Sequence, residues 1–506
     1  MHNVGAEWLM ATLAPTPLML GLMQAAENAP LFLLALPAGA LADIVDRRRL
    51  LIFSQSWMLV AAVVLGLLTV TGYTSPSLLL LLTFALGLGS ALNAPAWQAI
   101  VPELVSRDEL PLAVGLNSVA LNIARAVGPA IGGLIVAAVG SWAVFFLNSV
   151  SFIGILFVLV RWKREPVETI SPTERLLGAM RAGLRYVRHA PELRAVLVRT
   201  SLFVACASAL WAMLPLVAKQ QLGLGAFGYG VLLGGLGSGA IIGAFTLPIV
   251  RRNLTVNSLL FAGTLVFAFT TATLAFVHSL TILVIAMTAG GFAWMTMMSS
   301  FNIVVQSVVP DWVRARALAT YLLVLYGAMS CGGVLWGVIA QHLGLPVTLL
   351  CAAIALVLSL SAHFVYPLRM GHEVDLSPSL HWTEPVVVTE PHPDAGPVLV
   401  IVDYRIDPNR ASEFLEAMRA LGRVLRRDGA SRWGVFRDQA RPDRYVETFM
   451  VESWAEHLRQ HARFTGNDKA IQDYARSFHL GPGTPAVAHL IAEEHSKGVR
   501  RRRYRA

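Results

Sequence analysis

The stretch Gly39-Ala-Leu-Ala-Asp43-Ile-Val-Asp46-Arg47-Arg48-Arg49-Leu50 is a short acidic and basic turn between two long apolar runs. Apolar runs of the same kind continue along most of the chain. The 506 residues are 55% hydrophobic and only 14% charged, with a mean hydropathy of +0.60. Because soluble globular chains are about 25% charged, this composition predicts that much of the chain lies in lipid.

The apolar runs have the length of membrane-spanning helices, since about 20 helical residues cross a hydrocarbon core of about 30 Å. Eleven full spans are predicted, at 16–41, 50–71, 77–100, 111–137, 141–160, 195–217, 227–250, 255–277, 280–308, 318–341 and 345–367. Met1 to Leu13 would rise only about 20 Å as a helix, which is too short to cross. We expect a first span cut in half by a late start, because twelve spans would restore symmetry. The alternative is a short interfacial helix.

Charge in the loops predicts the orientation of the spans. The loops at 43–49, 101–110, 161–194, 251–253 and 310–317 are rich in Arg, whereas those at 14–17, 72–76, 138–141 and 342–344 carry no Lys or Arg. Since basic residues concentrate in cytoplasmic loops, both ends of the intact protein are expected to be cytoplasmic. Lys219 is the lone basic residue in the remaining short outer loops.

The longest loop between spans, 161–194, is basic. Its apolar residues recur at spacings of three and four: Leu176, Leu177, Met180, Leu184 and Val187. This spacing predicts a basic amphipathic helix on the inner leaflet, which would join two six-helix halves. A solvated linker helix is the alternative.

The two halves of the helical region align with each other. Gln98, Val101-Pro102-Glu103 and Val105 match Gln306, Val309-Pro310-Asp311 and Val313 at one constant offset. Gly39-Ala40, Arg47-Arg48 and Leu50 match Gly243-Ala244, Arg251-Arg252 and Leu254 at nearly the same offset. A parallel duplication of six helices is typical of one large transporter architecture.

The opening stretch resembles the loop motif G-x-L-A-D-x-x-G-R-R of the major facilitator superfamily. The matching residues are Gly39, Leu41, Ala42, Asp43, Arg47 and Arg48, whereas Ile44 replaces a basic residue and Asp46 replaces Gly. The stretch from Leu36 is more similar to bacterial transmembrane secretion effectors, the subfamily of enterobactin-exporter-like proteins, whose members begin earlier than Met1. The resemblance implies an all-α membrane bundle of 6+6 helices that moves a small molecule by alternating access.

Within this motif, Asp43 is expected to accept hydrogen bonds from a neighbouring helix N-terminus or an Arg, and so to stabilise one state of a gate. Arg47 and Arg48 are expected to anchor at lipid headgroups. In the second copy Leu247 occupies a nearby position and no acid is present, so the gate contact would be asymmetric. The alternative is a loop that only sets topology.

The fifth span resembles the exporter-associated motif of the same superfamily. The matching residues are Gly115, Gly128, Pro129, Gly132 and Gly133, with Ala124 in place of the second Gly of the motif. Small residues allow close helix contact, and the proline bends the helix. A bend near the outer end suits an outward-release gate, so the motif favours export. Glycine-mediated packing is the alternative.

Ionisable groups within the membrane are costly and tend to be functional. Glu7 and Glu27 are the acids predicted at lipid depth in the first two spans, and Arg125 is the counter-charge in the fifth. We expect Glu27 to couple transport to protons or to bind a cation, with Arg125 as its partner and Glu7 as a second candidate. The alternative is a static buried pair that sets helix packing.

Amides near the middle of the spans are candidates for a central cavity that binds bulky, amphiphilic, partly aromatic cargo. They are Gln24, Asn28, Asn93, Asn117, Asn122, Asn148, Asn302 and Gln306, with aromatic surface from Trp97, Trp211, Trp294 and Trp336. For each residue alone, an interhelical hydrogen bond or a place in an interfacial belt is the alternative.

The predicted domains are an N-terminal half (1–160), a basic linker helix (161–194), a C-terminal half (195–367), a linker (368–397), an α+β domain (398–495) and a basic tail (496–506). The order β-α-β-β-α-β, with one long helix from Trp454 to Phe478, predicts a ferredoxin-like sandwich. It resembles monooxygenase-like dimeric barrels, which implies a dimerisation or regulatory role. His457 and His461 are four apart as a possible ligand pair. No third ligand is visible, so a solvated face is expected.

The sequence contains no G-x-x-x-x-G-K loop for ATP, so an ion gradient, most simply of protons, is expected to drive transport of a siderophore, drug or other metabolite. The three cysteines lie in apolar runs and predict neither a disulfide nor a metal site. No cofactor and no nucleic-acid partner is expected. A membrane-anchored enzyme with its activity in the tail domain and a non-transporting scaffold are the alternatives. The expected location is the bacterial cytoplasmic membrane.

Overall fold

The computed structural model describes residues 1–105, 109–162, 186, 188–368, 375, 377, 379, 381–382 and 391–492, with only the backbone described in parts of four helices. The chain forms two compact units. The first consists of Met1–Thr173, Ala195–Val305 and Leu318–Arg369. The second consists of Glu174–Arg194, Gln306–Ala317 and Met370–Ala506.

The first unit is a helical bundle. Its first half contains α1 (His2–Leu13), α2 (Pro17–Ile44), α3 (Arg47–Val70), α4 (Pro76–Leu104), α5 (Leu110–Ala138) and α6 (Ser141–Arg161). Its second half contains α7 (Pro191–Leu216), α8 (Ala226–Val250), α9 (Val256–Phe276), α10 (Leu280–Ser307), α11 (Asp311–Leu343), α12 (Leu345–Ser359) and α13 (Ala362–Val365). A π-helical turn, Val217–Gln221, extends α7.

The helices agree with the predicted spans. Within the described part of the chain, nine helices are long and apolar enough to cross a membrane. The two remaining predicted spans fall on α2 and α5, which have 28 and 29 residues. The all-α bundle expected from the sequence is therefore confirmed.

Helix α1 is an internal element of the bundle. It packs against α2, α4, α5 and α6, and Val4, Ala6 and Met10 are at most 3% exposed. An interfacial helix would leave one side uncovered, so that alternative is wrong. The bundle instead packs this 12-residue helix against four of its other helices.

The second unit contains an antiparallel sheet covered by helices. Its elements are β1 (Val398–Arg405), α14 (Ala411–Asp428), β2 (Ser431–Arg437), β3 (Arg444–Val451), α15 (Trp454–Arg463), α16 (Gly466–Arg476) and β4 (Ala486–Ile491). The sheet order is β2-β3-β1-β4, which is the predicted ferredoxin-like arrangement. Alternate residues of β1, from Val398 to Tyr404, point into a core shared with Phe414 and Leu421 of α14.

One detail of the predicted tail domain is wrong. The expected single helix from Trp454 to Phe478 is two helices, because the chain becomes extended at Phe464. A capping box then starts α16, in which Thr465 and Asp468 each bind the backbone N–H of the other. Such a box satisfies donors that a helix start leaves unpaired.

Segments near residues 186 and 312 belong to this second unit. Arg427 forms ion pairs with Asp428 at 2.8 Å and Asp468 at 2.6 Å, and its guanidinium lies 5.4 Å from the ring centre of Tyr186. Arg463 lies 4.6 Å from the ring centre of Trp312. The predicted linker helix otherwise lies outside the described residues, apart from 186 and 188–190, after which α7 begins.

A cluster of histidine rings lies under β4. The ring centres of His457 and His461 are 4.5 Å apart, and those of His457 and His489 are 4.8 Å apart. His457 is 1% exposed, so the expectation of a solvated face is wrong for this residue. The alternation of burial in β4 brings His489 to the pair, which helix spacing alone did not show.

Burial shifts the pKa of these groups. Desolvation lowers the pKa of His457 to about 4, and desolvation together with the neighbouring histidines lowers the pKa of His461 to about 3. The pKa of Glu447 shifts in the opposite direction. Burial raises this pKa to about 6, although Trp433 and Tyr404 donate hydrogen bonds to the carboxylate.

The tail domain is therefore expected to lose stability on mild acidification. Between about pH 6.5 and pH 4 the unfolded state binds protons on His457 and His461 that the folded state does not bind. Each would contribute a loss of roughly 1 kcal/mol at pH 5.5, only partly offset by Glu447. Pulse proteolysis of the tail domain in the full-length protein, after graded urea, measures the midpoint at pH 7.5 and 5.5.

His461→Phe is expected to reduce the drop in that midpoint between the two pH values, because it removes one titrating ring. His392→Phe, at an exposed site outside the cluster, is the matched control and should retain the full drop. An equal drop in His461→Phe and the unchanged protein would contradict the assignment.

Candidate functional site

The first half carries two neighbouring carboxylates. Glu7 belongs to α1, and Glu27 belongs to α2. The Tyr229 hydroxyl of α8 donates a hydrogen bond to Glu7 of α1. The Asn3 amide of α1 donates to Glu27 of α2 at 3.2 Å. Because Asn3 and Glu7 are four residues apart, they share one face of α1. Glu7, Glu27 and Tyr229 therefore form one site, called here the acidic site.

The acidic site is incompletely satisfied. Oε1 of Glu27 is buried and has no hydrogen-bond partner among the described residues. A buried polar atom without a partner is costly, so this atom marks a place where a proton or a donor group would bind. The side chain of Arg125 lies outside the described part of the chain, and its pairing with Glu27 stays a prediction.

Polar groups continue along α2 from the acidic site. Gln24 is 6% exposed, and neither atom of its amide has a partner within the described residues. Asn28 donates to the backbone carbonyl of Gln24 at 2.8 Å. Gln24, Glu27 and Asn28 share one face of the helix by their spacing, and the role of this face in a cargo cavity stays a prediction.

Helices α5 and α8 cross with almost no space between them. A Cβ added to Gly133 would lie 2.6 Å from Cα of Gly230, so only glycine fits at this crossing. Tyr229 of the acidic site is the neighbour of Gly230. The crossing lies near the end of α5 and the start of α8, which the charge pattern predicts to be outer.

A second crossing joins α2 and α11 on the same predicted outer side. A Cβ on Gly21 would overlap the backbone carbonyl of Gly333, and a Cβ on Gly337 would lie 2.9 Å from the carbonyl oxygen of Pro17. The two crossings close the outer ends of the two halves against each other. They are called here the outer contact.

The exporter-like motif contributes directly to the outer contact. Pro129 lies inside α5, Gly132 lies against Met1, and Gly133 lies against Gly230. Gly128 also lies near Met1, at 3.7 Å from a Cβ added to the glycine. The surroundings of Gly115 lie outside the described residues.

The loop motif between α2 and α3 binds protein groups at two positions. Arg48 donates from Nε to the Leu159 carbonyl and from Nη2 to the Val160 carbonyl, both at 2.8 Å. The expectation that Arg48 anchors at headgroups is therefore wrong, because it binds the carbonyls that end α6. Asp46 caps α3 by accepting from the N–H of Arg49 at 2.9 Å, which explains an Asp where the motif has Gly.

The other motif residues are placed only in part. Leu41 is 38% exposed, and Arg47 lies in the first turn of α3. The surroundings of Gly39 and the side chain of Asp43 lie outside the described part, so the gating role of Asp43 stays a prediction. In the second copy, Arg251, the counterpart of Arg47, donates to Ser300 at 3.1 Å.

Two of the remaining cavity candidates form contacts between helices, and the role of the others stays a prediction. Gln55 donates to Asn93 at 3.0 Å between α3 and α4, and Trp336 donates to the Ala205 carbonyl at 2.7 Å. These are the contacts of the interhelical alternative. Asn302 and Gln306 lie on α10, and the side chains of Asn117 and Asn122 lie outside the described residues.

Three residues of this region were not found from the sequence: Asn3, Tyr229 and Lys219 as a binding residue. Tyr229 stands in a glycine-rich apolar run, and no periodicity distinguishes a hydroxyl that reaches a carboxylate from one in an interfacial belt. The basic charge of Lys219 in a predicted outer loop was the one sequence feature that could have indicated its contact with α1.

Comparison with known proteins identifies relatives over more than two thirds of the chain. The profile of the transmembrane secretion effector family matches residues 1–497. The staphyloferrin A transporter of Staphylococcus aureus is 24% identical over 346 residues, which are 68% of this chain and 86% of that protein. The multidrug efflux pump Tap of Mycolicibacterium fortuitum is 27% identical over 391 residues, which are 74% of this chain and 93% of that pump.

Solved structures share the fold at low identity. The nucleoside transporter NupG superposes with a TM-score of 0.58 at 11% identity, covering 73% of this chain and 95% of that one. An inward-facing bacterial homologue of the lysosomal transporter Spinster superposes with a TM-score of 0.58 at 15% identity, covering 72% and 94%.

Gly133→Val is expected to separate the outer ends of α5 and α8, since overpacking a close contact costs about 1–3 kcal/mol. Spin labels at Val139 and Phe227, both about half exposed, measure this separation in a cysteine-free background. Gly154→Val is the matched control, because no atom lies within 4 Å of a Cβ added to Gly154. Longer distances in Gly133→Val alone are the expected result, and identical distributions in both variants would contradict it.

Proposed function

We propose that this secondary transporter, which belongs to the transmembrane secretion effector family, exports a small organic molecule in exchange for protons. The observation that carries the proposal is the hydrogen bond from Tyr229 to Glu7. It joins a titratable group of one half to the other half, next to the crossing of Gly133 and Gly230. Protonation of this carboxylate would therefore act directly on the contact between the halves.

Coupling requires that the proton favours one state of the transporter over another. An ionised Glu7 is a stronger acceptor for the Tyr229 hydroxyl than a protonated one, because hydrogen bonds to charged groups are roughly twice as strong as neutral ones. A proton on the acidic site would weaken the outer contact. By linkage, opening of the outer contact would change the affinity of the site for protons by the same factor.

Exchange also requires that cargo and proton exclude each other. Oε1 of Glu27, which has no partner among the described residues, can be satisfied by a proton or by a donor group of the cargo, but not by both. Gln24 and Asn28 would orient the same molecule from the neighbouring turn of α2. We infer a cargo with hydrogen-bond donors or a positive charge on an amphiphilic frame.

Two named relatives support this class of cargo. One is a transporter of the siderophore staphyloferrin A, and the other is a multidrug efflux pump. Siderophores and many drugs combine several polar groups with a large apolar surface. We propose a siderophore, drug or other secondary metabolite as the cargo of this chain.

A cytoplasmic position of the tail domain is part of the proposal. The tail-domain residues Arg427 and Arg463 lie over Tyr186 and Trp312, which belong to two Arg-rich loops of the predicted inner side. Because positively charged loops are retained in the cytoplasm, these contacts support a tail domain in the same compartment.

We also propose that the tail domain joins two copies of the transporter. The sheet face opposite its helices is apolar: Phe436 is 60% exposed, and Leu490 is 50% exposed. Leu490 pairs with Leu399, and Phe436 pairs with Val446. The resemblance of this domain to dimeric barrels favours a second copy as the partner that covers this face.

Glu7→Gln and Glu27→Gln are expected to abolish accumulation against a gradient while downhill exchange of cargo continues. Each substitution keeps the size of the side chain and removes its proton exchange at physiological pH. Proteoliposomes with an imposed pH gradient and a fluorescent siderophore or dye measure both modes. Tyr229→Phe is expected to retain downhill exchange and to weaken the dependence on the gradient about tenfold, the scale of one charge-assisted hydrogen bond.

Glu192→Gln serves as the control for these variants, since Glu192 is an exposed residue in the first turn of α7. It should behave like the unchanged protein. If the Glu7 and Glu27 variants both pump at the normal rate with an unchanged pH dependence, proton coupling through the acidic site is wrong.

Phe436→Asp is expected to convert a detergent-solubilised dimer into a monomer, because the change places a charge on the apolar sheet face. Light scattering coupled to size exclusion measures the mass. Tyr474→Asp changes a comparably exposed aromatic residue, at 58% exposure, on the helical side and should leave the dimer intact. A monomeric unchanged protein would refute this part of the proposal.

A further inference from the structure

Lys219 interrupts the charge pattern of the predicted outer loops, and the structure gives it a specific partner. Its Nζ donates to the backbone carbonyl of Ala11 at 2.9 Å. Ala11 lies in the last turn of α1, where carbonyls have no partner within the helix. Lysine at this position satisfies such a carbonyl and interacts favourably with the negative end of the helix dipole.

The next residue makes a parallel contact. Gln220 donates from its side-chain amide to the carbonyl of Pro15 at 3.1 Å, in the connection between α1 and α2. Two consecutive side chains thus bind the same short stretch of the first half. In a regular α-helix, neighbouring residues point about 100° apart, so both reaching one segment calls for an altered turn.

The altered turn is the π-helical segment Val217–Gln221. Its closing hydrogen bond runs from the N–H of Leu222 to the carbonyl of Val217 at 3.1 Å, one residue longer than an α-helical bond. Pro215 precedes it inside α7 and has no N–H to donate to the regular ladder. Single π-turns in helices are frequent at functional sites.

These contacts join the two halves at the same end as the outer contact. Helix α1 belongs to the first half, and α7 belongs to the second. Ala11 follows Glu7 by four residues, so both lie on one face of α1. The second half therefore binds α1 at two levels, through Tyr229 at Glu7 and through Lys219 at Ala11.

We propose that Lys219 is a positioning residue of the transport cycle: it fixes α1 to the second half when the outer side is closed and must release α1 before the outer side opens. The inference rests on the proposed function and adds a contact whose charge is independent of the acidic site. Because Lys219 binds a backbone carbonyl, its contact does not depend on the protonation of a carboxylate partner.

Lys219→Met is expected to increase the outward-open population about tenfold, since it removes one charge-assisted hydrogen bond of the closed state. Spin labels at Tyr73 and His278, exposed residues of predicted outer loops in opposite halves, measure the population in a cysteine-free full-length protein. Transport of a fluorescent dye in proteoliposomes is measured in parallel. We expect a lower maximal rate with little change in the concentration for half-maximal rate, since the cargo site is intact.

Lys219→Arg is the conservative variant and should restore the closed population and the rate, because guanidinium also donates to carbonyls. Gln220→Ala, which removes the neutral neighbouring contact, should shift the population less than Lys219→Met. If Lys219→Met transports at the normal rate with an unchanged distance distribution, the inference is wrong. If Lys219→Met unfolds, a Lys219→Arg variant that folds yet stays open would refute it as well. Failure of the unchanged protein to transport any dye or siderophore against a gradient would instead refute the proposed function.

Discussion

The two helical halves close against each other at an end where the first half carries a carboxylate, and this closure fixes the polar contacts between them. Gly133 and Gly230 allow α5 and α8 to approach so closely that Tyr229, next in sequence to Gly230, reaches Glu7. A side chain larger than hydrogen at either glycine would hold the helices apart. The exporter-like motif and the acidic site are therefore one structural feature. The small residues of the motif set the distance between α5 and α8, and this distance allows Tyr229 to donate to Glu7.

This arrangement makes charge at the acidic site matter to the whole bundle. A carboxylate within a membrane protein is stable only when it is paired, hydrogen-bonded or protonated. The first half supplies Glu7 and Glu27, whereas residues 195–310 of the second half contain no Asp or Glu. The second half instead contributes two donors to α1, the hydroxyl of Tyr229 and the ammonium of Lys219. The two halves are thus joined by polar contacts of unequal kind, although they descend from the same six-helix repeat.

The sequence was sufficient for the features that depend on length, composition and spacing. Apolar runs of span length became helices, the loop match at Arg47-Arg48 and Arg251-Arg252 exposed the duplication, and alternating strands predicted the sheet of the tail domain. It was insufficient where the partner comes from elsewhere in the chain. Arg48 reads locally as a headgroup anchor but binds the carbonyls that end α6. His457 reads as a solvated residue until β4 brings His489 against it. From the sequence, Lys219 is only an exception to the rule that basic residues lie in inner loops. In the structure it lies in a π-helical turn and donates to α1.

We propose that protonation of the acidic site controls the contact between the halves. The most direct measurement is the distance between spin labels at Tyr73 and His278 as a function of pH, in the unchanged protein and in the double variant Glu7→Gln, Glu27→Gln. We expect acidification to lengthen the distance in the unchanged protein and to leave it constant in the double variant. The same pH response in both proteins, or none in either, would contradict it.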